Sequence, residues 1–307
     1  MEDLNINGKV EKIINEIANF IETSMEERRA SGLLILFSGF IDSTVIAKIC
    51  IEAVGKEKVK LLIRSDKFID NQDDIIAHSI KYLEINEEQI VRCEIEPMLR
   101  NFGSENLIPG SVREIPSLYH PLSHSILKST LNTELEGTFG MVGEASTGRE
   151  KVLHKIIAYN KLRSRLQMAV AYFTAETENR ILIGTINKTE LLTGLFTIWG
   201  HSHCSDLMPL GNLYRSQILQ IAEVLSVPID IRSAAKADLL PGIENKYMQF
   251  FNLSAYDVDQ VLVRLEQGLS PEEIMKETSY SSESVEKINL YFNSSVYSRA
   301  APLIPKI

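Results

Sequence analysis

The sequence is short of cysteine and of long apolar runs, and each shortage excludes a class of protein. Its 307 residues include 3 cysteines, Cys50, Cys93 and Cys204, which are odd in number and far apart. This pattern argues against a disulfide framework and suits a reducing compartment. No stretch reaches the roughly 18 to 20 apolar residues that a membrane-spanning helix needs. Because the first residues are acidic and amphipathic, unlike a targeting segment, we expect a soluble, cytoplasmic protein with no membrane partner.

Basic residues are also in short supply. Lys and Arg total 32 against 41 Asp and Glu, which gives a formal net charge of -9. A nucleic-acid partner would have to be held by a local basic patch against a repulsive overall field, so we expect none. Apolar residues, in contrast, make up 44% of the chain, which at this length is enough for a full core and excludes a disordered protein.

Short apolar runs alternate with stretches of helical periodicity along most of the chain. The runs predict strands, the periodic stretches predict helices, and they follow one another as helix 10–21, strand 32–37, helix 44–54, strand 59–63, helix 73–83, strand 89–95, helix 151–174 and strand 180–184. This alternation predicts an α/β fold in which helices flank a doubly wound parallel sheet with right-handed crossovers. We expect five strands in the sheet.

One long segment breaks the alternation. Between about 101 and 150 the periodicity fails, and Gly, Ser, Pro and Thr dominate. About fifty residues without a pattern are too many for an ordinary connection, so the segment is either a substrate-covering lid or an inserted loop. We therefore predict a single domain over 1–307 with an insertion or lid at about 101–150.

The strongest local signal for chemistry is Ser38-Gly-Phe-Ile-Asp-Ser43, directly after the predicted strand 32–37 and before a helix. Backbone N–H groups of such a turn, the helix N-terminus and the two serine hydroxyls form a cradle suited to phosphate. A carboxylate in that cradle, Asp42, would repel phosphate unless a divalent cation lay between them. Taken alone, the same string could also be a capped strand-to-helix turn in which Ser and Asp satisfy N–H groups.

The Ser38–Ser43 segment resembles the S-G-G-x-D-S phosphate loop of the N-type ATP pyrophosphatases. Further segments are similar, in the same order, to motifs of the ammonia-dependent NAD synthetase family, namely Lys161–Met168 (A-R-x-R-M), Ile183–Glu190 (G-T-x-N-K-x-E), Leu195–Gly200 (F-T-K-Y-G), Asp206–Pro209 (D-x-x-P), Leu213–Gln217 (L-x-K-x-Q) and Ala237–Gly242. The resemblance implies the Rossmann-like fold of the adenine nucleotide alpha hydrolases and covers about residues 10 to 260.

The resemblance also implies an activity. It is that of a carbon–nitrogen ligase which splits ATP into AMP and pyrophosphate, adenylates a carboxylate such as nicotinic acid adenine dinucleotide, and transfers ammonia or an amine to it. ATP is then a co-substrate, Mg²⁺ a cofactor, and the protein a homodimer. An amide cannot form from a carboxylate at neutral pH without a better leaving group than hydroxide, and the adenylate supplies one.

The family motifs assign roles residue by residue. The expected ATP-binding residues are Ser38, Gly39, Phe40, Asp42, Ser43, Arg64, Thr185 and Arg215. Asp42, Arg215 and Lys236 are the expected catalytic residues, with Arg215 at the family's lysine position as a phosphate clamp. Asp42 and Glu190 are the expected Mg²⁺ carboxylates, although Glu190 could merely complement a helix dipole. Arg163, Trp199 and Asp206 are the expected substrate-binding residues.

The chain departs from the family pattern at several points. Phe40 stands at the second glycine of S-G-G, where a bulky residue is costly if the backbone needs φ > 0. After Gly242 the family has an acidic D-E-x-E-L-G run, whereas this chain reads Ile243-Glu-Asn-Lys-Tyr-Met-Gln-Phe-Phe251. The segments assigned to ATP thus match the family motifs better than those assigned to the carboxylate acceptor. Two alternatives therefore stay open, a ligase shifted to a different carboxylate and a nucleotide-binding pseudoenzyme.

Overall fold

The structure is a computed structural model that describes residues 4–65, 72–101, 148–200, 204–234 and 245–300. Nearly all of the segment predicted to be a lid lies outside these ranges. So does Lys236.

A parallel sheet forms the centre of the molecule. Its strands are β1 (Gly32–Phe37), β2 (Val59–Ser65), β3 (Ile90–Glu94) and β4 (Arg180–Ile183). They lie in the order β3-β2-β1-β4, and every neighbouring pair is parallel. The predicted doubly wound parallel sheet is confirmed. Within the described residues it has four strands and not five, and a single parallel bridge between Ile183 and Leu207 stands beyond β4.

Helices occupy most of the remaining described chain. They are α1 (Val10–Glu27), α2 (Ile41–Val54), α3 (Gln72–Leu83), α4 (Ile95–Asn101), α5 (Gly148–Thr177), α6 (Lys188–Thr193), α7 (Arg215–Val224), α8 (Ile229–Ser233), α9 (Lys246–Phe251), α10 (Ala255–Glu266), α11 (Pro271–Glu277), α12 (Ser282–Ser294) and α13 (Val296–Arg299), with short 3-10 turns at Lys56–Lys58 and Glu87–Gln89. In the ranges that the structure describes, no helix is both long and apolar enough to cross a membrane.

Both faces of the sheet are covered, which is why β1 reads as an unbroken apolar run. Alternate residues of a strand point to opposite faces. Leu33 and Ile35 join a core with α1, α2 and α7, whereas Leu34 and Leu36 join a second core with α4 and α5. All six residues of β1 are consequently buried.

The helices after residue 245 form a third core. Apolar side chains of α9, α10, α11 and α12 pack together with Tyr214 and with α6. Helix α11 begins with a capping box formed by Ser270 and Glu273, and Pro271 occupies its first turn.

The strand order locates the place where a ligand is expected. From β1 the chain continues to β2 and β3 on one side of β1, and it then crosses to β4 on the other side. The loops that follow β1 and β4 therefore diverge. In open α/β sheets, ligands bind outside the carboxyl ends of the strands at such a switch point. Here the two loops are Ser38–Phe40 after β1 and Gly184–Asn187 after β4.

Candidate active site

The turn after β1 depends on a glycine. Gly39 has a φ of +80°, and a Cβ added there would lie 2.8 Å from the Cα of Ile76. A side chain at this position would therefore be both strained and obstructed. The carbonyl of Gly39 accepts hydrogen bonds from the hydroxyls of Ser79 at 2.6 Å and Thr44 at 3.1 Å, which fix the turn against α2 and α3.

Phe40 fits this turn without backbone strain. Its φ is -78° and its ψ 168°, the extended conformation of a residue that precedes a helix. The positive φ falls on Gly39, one residue earlier. The cost expected from a bulky residue at Phe40 therefore does not arise from the backbone. Its side chain is 6% exposed.

The two serines of the loop contact each other. The hydroxyls of Ser38 and Ser43 are 3.2 Å apart, and the Ser38 N–H donates to the Ser43 hydroxyl at 3.3 Å. Ser43 in turn donates to the carbonyl of Phe40 at 2.9 Å. The structure thus brings together the loop residues that the sequence assigns to the phosphates.

Asp42 connects this loop to the other side of the switch point. Its side chain is 1% exposed and pairs with the guanidinium of Arg215, whose Nη1 lies 2.5 Å from Oδ2. Its other oxygen, Oδ1, accepts a hydrogen bond from the amide of Asn187 at 3.2 Å. Burial by itself lowers the pKa of Arg215, but Asp42, Tyr247 and Glu190 together outweigh it, so the pKa of the guanidinium lies above its ordinary value. The guanidinium therefore remains charged.

Glu190 forms a second buried ion pair beside the first. Its Oε1 accepts from the ammonium of Lys246, and the two side chains are 6% and 5% exposed. Its Oε2 accepts from the backbone N–H of Asn187 at 3.3 Å, while its own N–H donates to the Asn187 side chain at 2.9 Å. Asn187 and Glu190 thus form the capping box that begins α6. The helix-start role that the sequence left open for Glu190 is present together with the ion pair.

Asp259 holds the helices that carry these charges. It is fully buried on α10 and accepts from the hydroxyl of Thr189 at 2.5 Å and from the N–H of Ser216 at 2.9 Å. Thr189 also accepts from the N–H of Arg215 at 2.9 Å. Burial raises the pKa of Asp259 to about 6, against the lowering effect of these hydrogen bonds. Through Asp259, the first turns of α6 and α7 are fixed to each other.

We refer to Asp42, Asn187, Glu190, Arg215, Lys246 and Asp259 as the buried network. Its carboxylate and amide oxygens are chemically suited to Mg²⁺. In this conformation, however, Asp42 is paired with Arg215 and Glu190 with Lys246. Within the described ranges, no group of at least three His, Cys, Asp or Glu side chains is arranged to hold a metal ion. As they stand, the two carboxylates predicted for Mg²⁺ do not fit one.

Three other predicted residues lie after β4, near the end of β2 and on α5. Thr185 follows β4 and is 1% exposed. Arg64, near the end of β2, approaches Gln167 of α5 at 3.5 Å, and Arg163 is buried on the same helix. Arg64 and Arg163 are thus on the α5 side of the sheet. Arg165, two residues from Arg163, is exposed and donates to the carbonyl of Ile198.

Trp199 is about half exposed, and Asp206 contacts β4 and the end of α1. Trp199 has a φ of +58° and is 48% exposed. Asp206 accepts from the N–H of Leu182 at 2.9 Å and pairs with Arg28 at 3.2 Å, so its carboxylate holds β4 to the end of α1. A substrate-binding role for either residue stays a prediction.

Sequence reasoning missed three members of the network, Asn187, Lys246 and Asp259. Asn187 lies in the Ile183–Glu190 segment, where its position three residues before Glu190 is the signal of a capping box. Lys246 lies where the family has an acidic run, which marked the segment as divergent but gave no partner for the lysine. Asp259 lies within an otherwise ordinary amphipathic helix, and we find no sequence signal for its role.

Comparison with known proteins gives a consistent result. The sequence model of the NAD synthase family matches residues 13–114 and 118–302. The NH(3)-dependent NAD(+) synthetase of Thermotoga maritima is 31% identical over 277 residues, which are 89% of this chain and 92% of that protein. The enzyme of the same name from Methanocaldococcus jannaschii is 27% identical over 299 residues, covering 97% and 98% of the two chains.

Solved structures share the fold. NMN synthetase from Francisella tularensis aligns with a TM-score of 0.66 at 22% identity, covering 97% of this chain and 99% of that one. NH3-dependent NAD synthetase from Campylobacter jejuni aligns with the same TM-score at 19% identity and the same coverage. With the matching family, these structures confirm the expected Rossmann-like, adenine nucleotide alpha hydrolase fold. The chain therefore belongs to the NAD synthase family, and it is an ATP-dependent carbon–nitrogen ligase that forms an amide.

Proposed function

We propose that this enzyme converts nicotinic acid adenine dinucleotide into NAD, using ATP and free ammonia. The names of its relatives support this choice of substrates. The observation that carries it in this chain is the Asp42–Arg215 pair, which holds a permanent cation beside the phosphate loop at the switch point of the sheet.

The proposed chemistry has two steps. An oxygen of the substrate carboxylate attacks the α-phosphorus of ATP, the bond to the β-phosphate oxygen breaks, and pyrophosphate leaves. Ammonia then attacks the carbonyl carbon of the acyl adenylate, loses a proton, and AMP leaves with the bonding electrons. Neither step needs a protein nucleophile, so the enzyme acts by orienting two anionic reactants and stabilising charge on phosphate oxygens.

Particular residues would perform these tasks. Ser38, Gly39 and Ser43 offer the turn in which pyrophosphate oxygens are bound, and Arg215 offers two N–H groups to phosphate. Asp42 orients Arg215 through the ion pair. In the same proposal Phe40 lines the loop, Arg64 and Thr185 contact the nucleotide, Arg163, Trp199 and Asp206 contact the acceptor, and Lys236 supplies a second cation.

Three further features belong to this proposal. Mg²⁺ would accompany the ATP phosphates, since the Asp42 and Glu190 carboxylates are engaged by cations of the chain. The enzyme would act as a cytoplasmic homodimer. One domain would span 1–307, with the segment at about 101–150 as a lid over the acceptor.

The test is an assay of the full chain with ATP, ammonia and a panel of carboxylates that includes nicotinic acid adenine dinucleotide and its mononucleotide. Formation of NAD and AMP in equal amounts is expected, with an Arg215→Met variant as the inactive control. Turnover of another carboxylate in preference would support the substrate-shifted ligase. Absence of AMP with every acceptor would overturn the proposal and leave a nucleotide-binding pseudoenzyme.

A further inference from the structure

The ammonium of Lys246 pairs with the Glu190 carboxylate, which is expected to bind a metal ion. It is the first residue of α9, in the segment where the sequence departs from the family's acidic run. Its ammonium contacts Oε1 of Glu190, and both side chains are almost completely removed from solvent. A surface pair of this kind would exchange readily with ions, whereas a buried one is closed to them.

The surroundings favour retention of this charge. Three buried carboxylates, Asp42, Glu190 and Asp259, face two buried cations, Arg215 and Lys246. The ammonium of Lys246 also lies 5.3 Å from the centre of the Tyr247 ring, within the range of a cation–π interaction. The ammonium thus compensates the negative charge that would otherwise attract a divalent cation.

We propose that Lys246 is a built-in counter-ion which excludes divalent cations from Glu190 in the nucleotide-free enzyme. The inference rests on the proposed function, in which Mg²⁺ accompanies the ATP phosphates because Asp42 and Glu190, the carboxylates that the resemblance assigns to the metal, are paired with cations of the chain. Removing the charge of Lys246 leaves Glu190 buried with an uncompensated charge, which is unfavourable unless another cation replaces the ammonium.

The probe is Mn²⁺, titrated into the nucleotide-free full-length protein and followed by electron paramagnetic resonance of the free ion. Wild type is expected to bind Mn²⁺ weakly. Lys246→Met, which keeps the side-chain length without the charge, is expected to bind about tenfold more tightly or better, equivalent to about 1.4 kcal/mol. Lys12→Met removes the same charge from an exposed position on α1 and should match wild type.

Two further variants assign the effect to Glu190. The double variant Glu190→Gln/Lys246→Met should return to the wild-type Mn²⁺ affinity. Glu190→Gln alone should also match wild type, and this comparison remains available if Lys246→Met does not fold, as judged by circular dichroism. The inference would be overturned if folded Lys246→Met bound Mn²⁺ with wild-type affinity. It would also be overturned if Glu190→Gln bound Mn²⁺ ten times more weakly than wild type. Because Mn²⁺ binding is read without turnover, NAD formation by wild type tests the proposed function separately.

Discussion

The two halves of the buried site are built in opposite ways. The loop half, Ser38–Ser43, is six consecutive residues whose hydrogen bonds join positions no more than five apart, except for the contact with Ser79 and those of the Asp42 carboxylate. The helical half takes Glu190, Arg215, Lys246 and Asp259 from α6, α7, α9 and α10. The contacts of Asp259 with Thr189 and Ser216, and that of Lys246 with Glu190, join residues 43 to 70 positions apart.

Because of this difference, substitutions in the two halves should have different effects. The loop conformation depends on backbone geometry at one glycine, so a change there should alter phosphate binding directly. The helical half depends on the third core, which packs α9 and α10 against α6. A change in that core should move several charges at once. The Asp42–Arg215 pair joins the two halves, so a substitution of either residue should affect both of them.

Arg215→Met is expected to have the largest effect. It leaves the Asp42 carboxylate buried without its cation, and breaking such a pair costs about 3–5 kcal/mol. The free energy of unfolding, measured by urea denaturation, should fall by that amount, and AMP formation should be lost. Arg215→Lys keeps the charge and should lose much less stability. Equal losses in the two variants would show that the pair does not join the halves as inferred.

Gly39→Ala is expected to rank second and to affect the loop half. Its φ of +80° is unfavourable for alanine, and the new Cβ would meet the backbone of Ile76. The matched control is Gly268→Ala, at a φ of +84° with no atom within 4 Å of the added Cβ. Backbone strain alone costs about 1–3 kcal/mol, so Gly39→Ala should lose more than its control in urea denaturation. Similar losses would contradict a tight approach of α3 to the loop.

Asp259→Asn tests the helical half. Its free energy of unfolding is expected to fall by about 2 kcal/mol, because one buried donor loses its acceptor.

The stability difference between wild type and Asp259→Asn should also depend on pH. The pKa of Asp259 in the folded protein, about 6, lies above the ordinary aspartate value of 3.8. The folded state then binds this proton more tightly than the unfolded state, so the contribution of Asp259 to stability falls as pH rises from about 4 to about 6.

Urea denaturation at several pH values checks that sign. The stability advantage of wild type over Asp259→Asn should shrink as pH rises through this window, and the kcat for AMP formation should fall in the variant because Arg215 is less well positioned. A constant difference across the window would contradict the raised pKa.

Ser270→Ala is expected to have the smallest effect. Ser270 caps α11, and Asp259 of α10 is the only network residue near it in sequence. Loss of such a cap costs about 1 kcal/mol. Thermal unfolding should detect the loss, while AMP formation stays unchanged. A fall in turnover would mean that the third core transmits changes to the network more readily than its packing indicates.

Much of the fold could be predicted because its signals are local. The unbroken apolar run of β1 requires cover on both faces, and the residues after it predict a turn and a helix, as observed. The number of strands could not be predicted, since at Leu207 only a single bridge forms. Asp42 and Arg215 were predicted for the site, and the structure brings them into contact.

The partners within the site were beyond sequence reasoning for a physical reason. Lys246 and Asp259 are not adjacent to any residue of the loop, and lysine or aspartate in a helix is ordinarily a solvated residue. Asp206, by contrast, matched a family motif, yet its carboxylate binds Leu182 and Arg28. A residue type indicates which charge is present, whereas the packing of distant elements determines which opposite charge it meets.

For this protein, the sequence by itself determined the parallel α/β sheet, the turn between β1 and α2 and the family, because each follows from neighbouring residues or from motifs in a fixed order. Only the tertiary structure decided that the positive φ falls on Gly39 and spares Phe40, and that Glu190 is paired with Lys246. These outcomes depend on how strands and helices far apart in the chain pack together, and burial then makes each resulting ion pair costly to break.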